Sequence, residues 1–142
     1  MNIGDLMTGN VISICEDEPV SAAARLLKRN NIGSLPVRDH RGKLKGIITD
    51  RDIVLRCVAA EEDASRLQVG EIMSRNLVTA DAGEDAEQAA ERMARNRVRR
   101  LPVTESGILV GIVALGDIAK NGDYSMEAAK ALGEISENFR RA

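Results

Sequence analysis

Tryptophan is absent, and the other large aromatics occur once each, as Tyr124 and Phe139. A pocket for a planar base must therefore be aliphatic, because stacking platforms need rings this chain does not have. Histidine is as scarce. His40 is the only one, so a zinc site would need carboxylates for most of its shell. Cys15 and Cys57 stand far apart, outside any Cys-x-x-Cys pair. They read as buried, reduced thiols, with a redox disulfide as the alternative. No run approaches the roughly 18 apolar residues of a membrane span, and MNIGDLMTGNVISICEDE has no basic stretch leading into an apolar core. The net charge of −2 gives no global pull toward nucleic acid or an anionic membrane. Glycine loops of the Walker or G-x-G-x-x-G kind are missing too. These absences predict a cytoplasmic protein with no catalytic residues, no metal and no membrane partner.

What is present is a repeat. At 142 residues, 44% hydrophobic and 30% charged, the chain is an ordinary globular sequence. IGDLMTGNVIS from Ile3 lies over VGEIMSRNLVT from Val69, with Gly4 on Gly70, Met7 on Met73 and Asn10 on Asn76. The offset holds through KRNNIGSLPV over ARNRVRRLPV. One residue is then lost in the turn, and GIITDRDIV is echoed by GIVALGDIA. A match in register over some 50 residues means two copies of one supersecondary unit.

Each copy reads alike. A helical turn (Ile3 to Thr8; Val69 to Ser74) leads to a β-branched strand, Val11 to Ile14 or Leu77 to Ala80. Val20, Ala23, Ala24 and Leu27 then make a helical stripe, matched by Ala86, Ala89, Ala90 and Met93. Two strands follow around Gly42 or Gly107, and a closing helix begins at Asp50 or Leu115. The fold class is α+β: β-α-β-β-α twice, packed sheet to sheet about a pseudo-twofold axis, plus a C-terminal helix. The expected boundaries are copy 1 over 1–60, a connector over 61–68 containing Glu61-Glu62-Asp63, copy 2 over 69–121, and a tail over 122–142. Ser125 is the tail's candidate cap; Ala128, Leu132, Ile135 and Phe139 form its apolar stripe.

Thr49-x-x-Asp52 fits two readings. In one, the hydroxyl caps the closing helix while the acid satisfies a free amide, worth about 1 kcal/mol. In the other, the acid accepts hydrogen bonds from a ribose diol, and the hydroxyl sits where helix amides favour phosphate. The second copy keeps Asp117 but replaces the hydroxyl by Ala114, which cannot cap.

The duplicated unit with LPV and GIITDRDI, over residues 3–120, resembles the CBS (cystathionine-β-synthase-type) domain pair, or Bateman module. The resemblance implies a non-catalytic regulatory sensor that needs no cofactor and binds AMP, ADP or ATP between the copies, with S-adenosylmethionine or NAD as further candidates. It implies Asp52 on the ribose, Thr49 near the phosphate or ribose, and Val11, Ile12, Pro36 and Val37 around the base. Arg99 and Arg100, just before the second LPV, would reach the phosphate; strand alternation favours Arg100. Their alternative reading is a solvated basic edge with Arg92, Arg95 and Arg97. Asp117 marks a weak second site, since Ala114, Gly33 and Ser34 bring neither hydroxyl cap nor charge at the matching positions. A homodimer is implied as well, with an unidentified protein partner reading the signal. The competing readings are a ligand-free scaffold and nucleic-acid binding through the Arg92–Arg100 cluster, which the chain's acidity opposes. His40, in the turn DHRG with no cysteine or serine motif beside it in sequence, is not expected to be a catalytic base.

Overall fold

The computed structural model describes residues 1–120 and 129–135. In chain order its elements are α1 (Ile3–Leu6), β1 (Ile14–Cys15), α2 (Val20–Asn30), β2 (Ser34–Arg38), β3 (Leu44–Thr49), α3 (Asp50–Ile53), α4 (Val69–Ile72), β4 (Ala80–Asp81), α5 (Ala86–Asn96), β5 (Arg100–Glu105), β6 (Ile108–Ala114) and α6 (Leu115–Ala119). A π-helical turn, Val54–Val58, continues α3, and residues 129–135 are helical. Ser125, Ala128 and Phe139 lie outside the described residues. The strands form two three-stranded sheets, β1-β2-β3 and β4-β5-β6, each with a parallel outer pair and an antiparallel hairpin.

The chain divides into two compact units, residues 12–77 and residues 1–11 with 78–142, and the sequence copies exchange their leading turns. In the unit of residues 12–77, Ile14, Val20, Ala23, Leu27, Leu35, Val37, Ile48 and Cys57 close over one core that α4 completes with Val69, Ile72 and Met73. In the other, Ala86, Ala89, Ala90 and Met93 of α5 meet Leu101, Val103 and Val113, and α1 inserts Ile3. The 3.6-residue stripes therefore bury as their spacing requires, except Ala24, which is only half-buried. Ala131 and Ile135 join the second core, whereas Leu132, expected on the buried stripe, is exposed.

Strands β1 and β4 are shorter and later than the apolar runs suggest. Pro36 pairs with Ile47, whose N–H goes to the Ser74 carbonyl at 2.9 Å instead of to β2. That pair is therefore a non-hydrogen-bonded one, and the ring nitrogen of Pro36 faces β1 with no proton to give. Pairing starts one residue later, at Ile14↔Val37. Pro102 does the same to β4: it pairs with Ile112, whose N–H reaches the Thr8 carbonyl at 3.0 Å, and pairing starts at Ala80↔Val103. The proline of LPV thus stops the first strand of each sheet.

Arg92 does not belong to a solvated basic edge. Its guanidinium donates to the Thr79 carbonyl at 2.8 Å and to Glu84 Oε2 at 2.8 Å, in a partly buried pair. The hydrogen bond from Arg92 holds the Glu84 carboxyl below its usual range. A depressed acid stabilises the fold above its unfolded pKa of about 4.3 and loses that contribution as pH falls through the lower folded value. Glu84→Gln is expected to cost about 2 kcal/mol at neutral pH. In urea melts across the acid range, that deficit should close only below about pH 4, where the wild type loses the same bond.

Candidate functional site

Both units repeat one junction, where the last strand turns into a short helix. In the first, Asp50 N–H donates to the Gly33 carbonyl at 3.0 Å; in the second, Leu115 N–H donates to the Arg99 carbonyl at 2.8 Å. The junctions differ in their side chains.

In the unit of residues 12–77 the capping reading of Thr49 and Asp52 is realised. Thr49 Oγ1 accepts from Asp52 N–H at 3.0 Å, and Asp52 Oδ2 accepts from Thr49 N–H at 3.0 Å. Asp52 is the single buried charged residue among those described, at 7% exposure. Ser74, following α4, donates to Asp52 Oδ1 at 3.2 Å, and Arg56 Nη1 stands 3.7 Å from the same oxygen while donating to the Ile72 carbonyl. Ser74 is a partner of Asp52 that sequence reasoning missed. Its only sequence signal is that it and Thr8 occupy matching places in the copies. A carboxylate offers about four acceptor positions, and Thr49 N–H, the Ser74 hydroxyl and the Arg56 guanidinium face three of them.

In the other unit Ala114 supplies no hydroxyl, and half the cap survives: Ala114 N–H donates to Asp117 Oδ2 at 2.9 Å. Asp117 is half-buried, and no other hydrogen bond to it is found among the described residues. Arg100 pairs directly with Ala114 across β5 and β6. Arg99 and Arg100 are both exposed and both border one cavity of about 530 Å³ with Ala114, Leu115, Gly116 and Leu132. Thr49 and Asp52 thus lie in one unit and Arg99, Arg100 and Asp117 in the other, as the copies they come from imply.

The apolar residues expected around a base differ in exposure. Val37 is fully buried within its own core, so only its backbone is available, and Pro36 is buried on the opposite strand face. Val11 and Ile12 precede β1 instead of lying on it, and Ile12 is 40% exposed.

One cluster was not foreseen. Cys15 Sγ lies 3.7 Å from His40 Nδ1, and His40 Nε2 lies 2.6 Å from Asp17 Oδ2. His40 does therefore have a cysteine beside it. Burial, then Asp17, pushes the Cys15 thiol up, whereas a nucleophile needs thiolate and access. The Asp17 carboxyl is held low by hydrogen bonds from Cys15 and then His40. Both cysteines are buried and unpaired, as expected. No helix among the described residues is long and apolar enough to cross a membrane.

These junctions and sheets have known counterparts. A CBS domain family model matches residues 3–58 and again 69–123. The CBS domain-containing protein YhcV of Bacillus subtilis is 41% identical over 135 residues, 95% of each chain. The crystal structure of Hypoxic Response Protein I with two coordinated zinc ions is 34% identical, with a TM-score of 0.76 over 85% of this chain and 98% of that one. The crystal structure of CBSX2 in complex with AMP is 26% identical, with a TM-score of 0.72 over 85% of this chain and 95% of that one. Two matched copies that cover most of the sequence, on sheets of the same order, settle the relationship: the chain belongs to the CBS domain family, as a tandem pair.

Proposed function

We propose that this protein is a non-catalytic sensor of an adenosine-containing nucleotide, of the AMP, ADP or ATP class, with two unequal sites. The stronger is built on Thr49 and Asp52 and the weaker on Asp117. The observation that carries the reading is the strand-to-helix junction of residues 49–52, where hydroxyl, carboxylate and helix amides are already held together. A CBS-pair neighbour solved with AMP supports the ligand class. The buried, protonated Cys15 and the absence of aromatic platforms accord with binding of a small ligand instead of covalent chemistry or nucleic-acid stacking. Two buried unpaired thiols accord with a reducing compartment such as the cytoplasm. Calorimetric titration of the full chain with AMP and ATP tests the reading: saturable binding is expected, and no heat from any adenosine compound leaves a ligand-free scaffold.

A second reading is favoured by one observation. Arg99, Arg100 and the Asp117 junction share a unit, and Asp117 has an uncommitted oxygen while those of Asp52 are engaged. On that reading the unit of Asp117 alone grips the phosphorylated sugar.

The proposed assembly is a homodimer. Val54, Leu55 and Val58, on the closing helix and its π-turn, are 54%, 50% and 66% exposed, an apolar patch at odds with a monomer's surface. Light scattering should give twice the chain mass for the wild type and the chain mass for a Leu55→Lys, Val58→Lys double variant. A monomeric wild type would contradict the homodimer, and a dimeric variant would contradict the patch.

A further inference from the structure

We propose that Cys15, Asp17 and His40 form a binding site for a thiophilic divalent cation of the zinc class. The site follows from strand register. Strands β1 and β2 are parallel, with Cys15 beside Arg38, and Glu16 N–H donates to the Arg38 carbonyl at 2.9 Å. Both chains then leave the sheet in the same direction, so the residue two past Cys15 meets the residue two past Arg38. Those residues are Asp17 and His40. The turn holding His40 is fixed by Asp39, whose Oδ1 accepts from both Arg41 N–H and Lys43 N–H at 2.9 Å.

Sulfur, nitrogen and carboxylate oxygen here all lie within 4.8 Å of one another. Zinc bonds of about 2.3 Å to sulfur and 2.0–2.1 Å to nitrogen at a tetrahedral angle place those donors about 3.6 Å apart. The observed separation of Cys15 Sγ and His40 Nδ1 is 3.7 Å, so this pair needs no rearrangement to share a metal. With Nδ1 on the metal, Asp17 gives up Nε2–H and turns an oxygen to the cation, because a carboxylate held on Nε2–H stands behind the ring, beyond bonding distance of a metal on Nδ1. The donor set is one soft thiolate, one imidazole and one carboxylate, with water completing four positions. As the metal–sulfur bond forms, the thiol proton leaves to solvent. Cys15 is buried and anchors the site to the sheet; Asp17 and His40 are exposed and leave an entry path for the ion.

The test uses the full chain, reduced and stripped of metal, titrated with Zn²⁺ against a chelating dye and separately with Co²⁺. One Zn²⁺ per chain is expected, with a thiolate-to-cobalt band in the near ultraviolet. His40→Ala and Asp17→Ala change exposed side chains, leave the core intact, and should each weaken Zn²⁺ binding roughly 10–100-fold. Cys15→Ser should remove the cobalt band, and Cys57→Ala should keep it. No stoichiometric uptake, uptake unchanged in His40→Ala, or a cobalt band that survives Cys15→Ser would overturn the proposal.

Discussion

Gly46→Ala is expected to destabilise the fold by about 3 kcal/mol, lowering the melting temperature by roughly 10 °C. A Cβ at Gly46 would stand 2.7 Å from Met73 Sδ and 2.8 Å from the Ser74 carbonyl oxygen. The sulfur can swing away, but the carbonyl cannot. It accepts from Ile47 N–H at 2.9 Å while Ser74 N–H donates back to Ile47 at 2.8 Å, so the segment after α4 is bridged to the edge of β3 beside the glycine. Making room for a methyl group breaks this bridge and pulls Ser74 off Asp52. Gly111→Ala should behave alike, since its Cβ would meet Met7 Sδ and, at 2.9 Å, the Thr8 carbonyl oxygen. Gly116→Ala is the control: nothing lies within 4 Å, and a helical glycine replaced by alanine should gain about 0.5–1 kcal/mol. Thermal unfolding of the three variants decides it. Equal stabilities would mean that the close approach is not a constraint. The glycine that opens each GII/GIV echo is thus explained by packing, without any appeal to a ligand.

Much of this architecture is legible in the residues. The repeat fixes two sheets of one kind, and the closing helices begin at Asp50, where cap grammar puts the first, and at Leu115, where the echo of the first copy puts the second. The Thr49-x-x-Asp52 box is found as written. Other features depend on meetings that local pattern does not encode. Apolar periodicity says that Ile3 and Val69 are buried, not that each is buried against the other copy's strands. The run Val11 to Ile14 looks like strand because its side chains are β-branched, yet pairing is decided by a missing proton on Pro36, over 20 residues away. In the tail, Ala131 displaced Leu132 from the buried face because a bare stripe leaves helix rotation open by one residue. The Cys15–Asp17–His40 cluster needed parallel register before it could be seen, and the Arg92–Glu84 pair needed the actual rotamers.

The ligand readings lead to opposite expectations for two conservative changes. Asp52→Asn keeps an oxygen for Thr49 N–H and so preserves most of the cap while removing the charge that a ribose diol or phosphate-bound cation would feel. Charged hydrogen bonds contribute about 1.5–3 kcal/mol each, so AMP or ATP should bind about 10- to 100-fold more weakly. Asp117→Asn should leave the strong site almost untouched. Arg100→Ala should weaken ATP more than adenosine, because it removes charge and no base contact. In thermal terms, ligand at 100 times its dissociation constant should add about 2.7 kcal/mol to the wild type and to Asp117→Asn, but little to Asp52→Asn.

Calorimetric titration of AMP into the wild type, Asp52→Asn and Asp117→Asn, each checked for an intact melting transition, reaches the central claim most directly. The account predicts a saturable isotherm that survives at Asp117 and collapses at Asp52. An isotherm lost with Asp117 and kept with Asp52 would move the nucleotide to the other unit, and a flat trace in all three proteins would contradict nucleotide sensing altogether.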